Sequence, residues 1–78
     1  MPTVLREGPY RFFFYSSDRA EPPHVHVARD ESVAKFWLSP VVLQKSSGFS
    51  RVELAKVESL IEERSEDLLG SWYEFFGS

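Results

Sequence analysis

The spacing of apolar residues changes once along this chain and divides it into a strand half and a helix half. Up to Leu38, apolar and polar positions alternate or gather in short aromatic runs; beyond Ser50, apolar residues return every three or four positions. Tyr10-Arg11-Phe12-Phe13-Phe14-Tyr15 follows the breaker Gly8-Pro9 and reads as a strand, with a shorter strand around Thr3–Arg6 to pair with it. Pro22-Pro23 makes the stretch from Ser16 to Pro23 a loop. A two-residue turn at Asp30-Glu31 folds His24–Arg29 onto Ser32–Leu38, setting Val25 against Phe36 and Val27 against Ala34. The other face then carries His26 opposite Lys35 and His24 opposite Trp37. A slip of one residue would place Val27 against Lys35, which disfavours it. The turn lacks the glycine usual in such hairpins, so its type is left open.

Ser50-Arg51-Val52-Glu53 is a capping box, with Phe49 placed to staple onto Leu54. Leu54, Val57, Leu60, Ile61, Leu68, Trp72, Phe75 and Phe76 form one stripe, interrupted at Arg64 and Ser65, and Gly77 is placed as the C-terminal cap. The spacing predicts one long helix from Ser50 to about Phe76, with Arg64–Glu66 as the point where it would bend. A straight helix of that length would run about 40 Å. Its aromatic tail would overhang a sheet of four short strands and meet a second subunit. The expected fold is α+β: an antiparallel meander of about four strands followed by one long C-terminal helix packed on one face. It forms a single domain over residues 1–78, with a sheet half (1–49) and a helix half (50–78).

Composition sharpens that picture. The chain has 78 residues, 42% hydrophobic and 15% aromatic, which excludes a disordered chain. No run approaches the roughly 20 apolar residues of a membrane-spanning helix. Met1-Pro2-Thr3-Val4-Leu5-Arg6 does not resemble a signal peptide, and there is no cysteine, so a cytoplasmic protein without disulfides is expected. The net charge of −3 is uneven: residues 1–49 carry +1 and residues 50–78 carry −4. An acidic total argues against nucleic acid as the main partner.

The rings exceed what one helix can cover. Val25, Val27, Ala34, Phe36 and Leu38 face the helix, leaving Phe13, Tyr15, Lys35 and Trp37 on the opposite face, and Trp72 and Phe76 on the overhanging tail. These six are the expected interface, either of a homo-oligomer or with a small partner protein, where Tyr, Trp, Phe and Arg are enriched. Stacking of single-stranded nucleic acid on the same rings is the less favoured alternative.

His24-Val25-His26 is the sharpest chemical feature, because side chains two apart on a strand share a face. The pair suits two ligands of one ion, and Asp18 or Glu21 in the preceding loop could supply a third. Lys35 opposite His26 would disfavour a cation, so no metal and no cofactor are expected, and two half-exposed histidines in a polar interface are preferred. If chemistry occurs, His24 and His26 carry it, as metal ligands or as an acid–base pair beside Lys35 or Arg29. No phosphate-cradling loop, zinc-helix motif or nucleophile elbow is present.

Tyr10 to Ser17, Glu21-Pro22-Pro23-His24-Val25-His26-Val27, Ala34 to Leu38, and Leu68-Leu69 with Trp72 to Gly77 together resemble the small bacterial proteins grouped as domain of unknown function 4160. The family's Pro-Pro-His-x-His block falls on Pro22, Pro23, His24 and His26, and its aromatic C-terminal block on Trp72 and Phe75; Gly70 departs from the pattern. The resemblance implies a small protein paired with another, in the manner of toxin–antitoxin or other regulatory pairs, and carries over no activity. The leading functional expectation is a non-enzymatic interaction component acting as an oligomer. The alternative is a histidine-dependent hydrolase or nuclease, with or without a metal.

Overall fold

The computed structural model describes residues 3–77. Met1, Pro2 and Ser78, assigned to the domain on sequence grounds, lie outside the described residues. Five strands follow one another: β1 (Thr3–Glu7), β2 (Tyr10–Phe13), β3 (His24–Arg29), β4 (Ser32–Leu38) and β5 (Val41–Ser47). A single 3-10 turn (Ser16–Ala20) separates β2 from β3, and the helices α1 (Arg51–Glu63) and α2 (Ser65–Phe76) complete the chain. The sheet has the order β1-β2-β3-β4-β5 with every pair antiparallel. The α+β meander is therefore as the sequence implies, but with five strands rather than four and two helices rather than one. No helix among the described residues is long and apolar enough to cross a membrane.

The β3–β4 hairpin has the expected register, with Val25 opposite Phe36, His26 opposite Lys35 and His24 opposite Trp37. Asp30 takes the glycine's role by adopting a φ of 54°, a region that Asp tolerates better than most residues. The fifth strand has no alternating pattern to announce it. Beyond Val41 each of its residues is exposed, so no buried face imposes a period on Val42-Leu43-Gln44-Lys45-Ser46-Ser47. The aromatic strand stops at Phe13, and Phe14 leaves the ladder to insert beneath α2.

The helix divides at Arg64, whose backbone (φ −109°, ψ 14°) leaves the helical region while its N–H still reaches the carbonyls of Leu60 and Ile61. The guanidinium anchors the break to the sheet by donating to Glu7 at 3.0 Å. A straight helix would exceed the molecule's longest dimension of 34 Å; the break instead returns α2 over the sheet. The predicted overhang is thus corrected. Trp72 and Phe76 pack on Phe14 and join the core of Phe12, Val25, Val27, Phe36, Leu38, Val57, Ile61 and Leu68.

The start of α1 is held from two sides. Ser50 Oγ accepts from the Glu53 N–H at 3.1 Å, as a capping residue should. The Glu53 carboxylate, however, turns to the sheet, taking both Nε and Nη2 of Arg29 and the Tyr10 hydroxyl. Hydrogen bonding to Arg29 holds its carboxyl below the ordinary range, outweighing the opposing effect of burial, and the Tyr10 hydroxyl adds to the shift. Gly48 precedes this helix at φ 92°, and a Cβ there would fall 2.6 Å from Ser32 Oγ and 3.1 Å from Ser32 Cα. Gly70, inside α2, faces open space.

Two stability outcomes follow. Gly48→Ala should cost more than about 1 kcal/mol through positive φ and crowding, whereas Gly70→Ala should gain up to about 1 kcal/mol of helix propensity. Urea denaturation of the two variants against the wild type checks both signs. The stabilisation from Glu53 is present above the ordinary carboxylate pKa and lost as pH falls through its lower folded-state value. Glu53→Gln should therefore reduce the loss of stability on acidification below about pH 5, measured as denaturation midpoints across a pH series.

Candidate functional site

The Ser16–Ala20 turn folds back over the outer face of the sheet and places Asp18 against β3. Asp18 N–H donates to the Tyr15 carbonyl and Glu21 N–H to the Asp18 carbonyl, both at 3.0 Å, which fixes the turn. Its carboxylate faces both imidazoles, one oxygen toward each. Oδ2 accepts from the Tyr15 N–H at 2.8 Å and lies 2.9 Å from His26 Nε2; Oδ1 lies 3.1 Å from His24 Nε2. Of the two acidic candidates in the loop, Asp18 is the one that joins both imidazoles. Glu21 pairs with the Lys35 ammonium, and its nearest approach to His24 is 3.8 Å, at the other ring nitrogen.

Pro22-Pro23 has a local purpose. The Pro22 carbonyl is 2.9 Å from His24 Nδ1, and a carbonyl can only accept, so Nδ1 carries the proton. The Pro23 carbonyl accepts from the Leu38 N–H at 3.1 Å and fixes the segment to β4. With Nδ1 protonated, neutral His24 presents a lone pair at Nε2. That nitrogen is buried and makes no hydrogen bond. Asp18 Oδ1 is near enough to accept one, so the failure is of direction: the oxygen lies off the axis along which an Nε2 proton would point.

His24 itself is fully buried, not half-exposed as expected. Trp72 of α2 and Trp37 of β4 enclose its ring, at centroid distances of 5.0 and 5.6 Å. His26 is only partly buried. It stacks on Phe13 at 5.5 Å with Tyr15 edge-on at 4.6 Å. Burial pushes the His26 imidazole below its ordinary pKa, against the pull of Asp18. Burial alone would raise the Asp18 carboxyl; the Tyr15 N–H and the two imidazoles outweigh it and hold the group below the usual range. The Lys35 charge that counted against a cation is taken up by Glu21.

The six residues expected at an interface separate. Phe13, Lys35, Trp72 and Phe76 are buried within the chain's own packing, Trp37 is half-buried, and Tyr15 remains exposed. The cause is the two folds-back, of α2 and of the Ser16–Pro23 segment. A groove of about 380 Å³ remains on the outer face, with Phe13, Tyr15, His26, Val33, Lys35 and Lys45 among its walls. Trp72 against the His24 ring was not foreseen; the helix stripe marked Trp72 as apolar but could not say which face it would meet.

Fold and site together define a small α+β protein with a His-x-His pair joined to a carboxylate beneath a loop. The chain belongs to the family described as domain of unknown function (DUF4160), whose model matches residues 10–73 and so includes Asp18, His24 and His26. No curated protein and no solved structure matches the chain.

Trp72→Ala should cost about 3–5 kcal/mol, because it removes a buried ring and opens His24 to water. Chemical denaturation with tryptophan fluorescence from the remaining Trp37 measures the loss.

Proposed function

We propose that this chain is the non-enzymatic interaction component of a small bacterial, cytoplasmic regulatory pair of the toxin–antitoxin kind, working as an oligomer. The observation that carries the reading is β5. This seven-residue strand ends the sheet, is paired on one side only among the described residues, and is exposed from Val42 onward. An unpaired edge is a template for strand addition by a second chain. Val42 (47% exposed) lies on this edge opposite Trp37, and Val33 (46%), opposite Ser47 at the other end of the β4–β5 pair, belongs to the wall of the outer groove, so an added strand would bury apolar surface at Val42 as well as backbone groups. Contact thus shifts from the rings named on sequence grounds to β5, Val33 and Tyr15.

The convergence of both imidazoles with Asp18, and the place of His26 in the groove wall, favour a second reading. A histidine-dependent hydrolase or nuclease would bind an anionic ester in the groove beside Lys45 and use the partly buried His26 as its base.

The oligomer reading expects the purified chain to run as a dimer or larger species in sedimentation or light scattering. Val42→Lys should shift it to monomer while leaving the denaturation midpoint nearly unchanged, because the residue is exposed in one chain. A monomeric wild type, or an oligomer indifferent to Val42→Lys, overturns the β5 reading.

A further inference from the structure

We infer that Asp18, His24 and His26 form a binding site for a divalent transition-metal ion of the zinc type. Each residue offers one donor, a ring nitrogen from each histidine and a carboxylate oxygen, and the three lie within 4.8 Å of one another; Nε2 is the nitrogen that faces the carboxylate in both histidines. This revises the expectation of two metal-free histidines, and the reason is the buried, unpartnered Nε2 of His24. A proton on that nitrogen would not point at Asp18. A metal on its lone pair would not need to: ligands of one ion sit off each other's lone-pair axes, and Oδ1 at 3.1 Å has that placement.

The spacing agrees with the chemistry. Two ligands of a four-coordinate zinc, each about 2.0–2.1 Å from the ion, lie about 3.3 Å apart. The carboxylate is already 2.9 and 3.1 Å from the two nitrogens. Those contacts are to different carboxylate oxygens, so admitting an ion asks the side chains to turn until one oxygen and both nitrogens close on a common point. The surroundings also match. His24 donates Nδ1–H to the Pro22 carbonyl, and Asp18 accepts from the Tyr15 N–H, which are the outer hydrogen bonds that orient ligands of a metal. Two neutral imidazoles and one carboxylate leave a divalent ion with a single excess charge, and the nearby Lys35 ammonium is already neutralised by Glu21. Imidazole nitrogens select zinc-like ions over magnesium or calcium, which prefer oxygen. Three protein donors leave a fourth position, the pattern of an open site rather than a closed structural one.

This inference does not rest on the oligomer reading. A bound ion would pin the Ser16–Ala20 turn to β3 in an interaction protein, and it would equally supply the hydrolytic reading with its metal.

The test is calorimetric titration of Zn²⁺ into the chelator-stripped full-length chain. One ion per chain is expected, undisturbed by excess Mg²⁺, with a rise in thermal midpoint on saturation. Asp18→Asn keeps the shape and an acceptor for Tyr15 N–H, and His26→Gln alters a partly exposed side chain; each should weaken binding at least about 100-fold. Circular dichroism of both variants shows whether the fold persists. Absorption of the Co²⁺-loaded wild type, with the intense visible bands of low coordination, gives a second readout that needs no variant. Failure of the wild type to bind Zn²⁺, equal affinity in folded variants, or a weak six-coordinate Co²⁺ spectrum overturns the site. None of these results bears on the sedimentation of the chain, so the two proposals fail separately.

Discussion

Closing the outer face of the sheet requires a charged group to be carried beneath a loop, and the Asp18 carboxylate bears that cost. A carboxylate withdrawn from water is unfavourable unless its oxygens find donors. Here the Tyr15 N–H and His26 serve one oxygen while the other faces His24, so the turn that delivers Asp18 is held at the carboxylate itself. The same segment brings Glu21 to Lys35 and the Pro22 carbonyl to His24. With the loop removed, the outer face would present an unpaired lysine and two histidines to solvent. Its contacts gather one carboxylate and two imidazoles on that face.

The inner face is solved by different means. A single stripe of apolar residues is cut at Arg64, so that α1 supplies Val57 and Ile61 while α2 returns with Leu68, Trp72 and Phe76. Trp72 belongs to both problems, since it packs on Phe14 within the core and on the ring of His24. The high aromatic content is thereby largely absorbed within one chain. Tyr10, Phe12, Phe13, Phe14, Phe36, Trp72 and Phe76 are buried, and Tyr15, Tyr73 and Phe75 remain exposed.

What could be read in the sequence was what a period or a motif encodes. The hairpin register followed from keeping Val25 and Val27 on one face, and the strand spacing of His24 and His26 placed both imidazoles together. Gly77 caps α2 with a φ of 78°, and Ser50 caps α1, as their residue types imply. The rest depended on tertiary contacts. An edge strand without a buried face has no pattern, which hid β5. Glu53 had the right spacing for a reciprocal cap, yet a guanidinium 24 residues earlier in the chain was a better partner. Asp18 and Glu21 were equivalent on paper, because only the course of the loop decides which carboxylate meets imidazole and which meets ammonium.

Chain order has a consequence for how the covered histidine can be uncovered. The five strands pair with their immediate neighbours in the chain, so every strand pairing is local in sequence. Trp72, which covers one side of His24, is fifty-eight positions beyond Phe14 in the numbering and reaches both rings only through the return of α2. Without α2 in place, the imidazole would have Trp37 beside it but no ring over its other side. The side of His24 that α2 covers is thus closed by a contact between residues far apart in the chain, and local opening of α2 alone would uncover the imidazole while leaving the strand pairings intact.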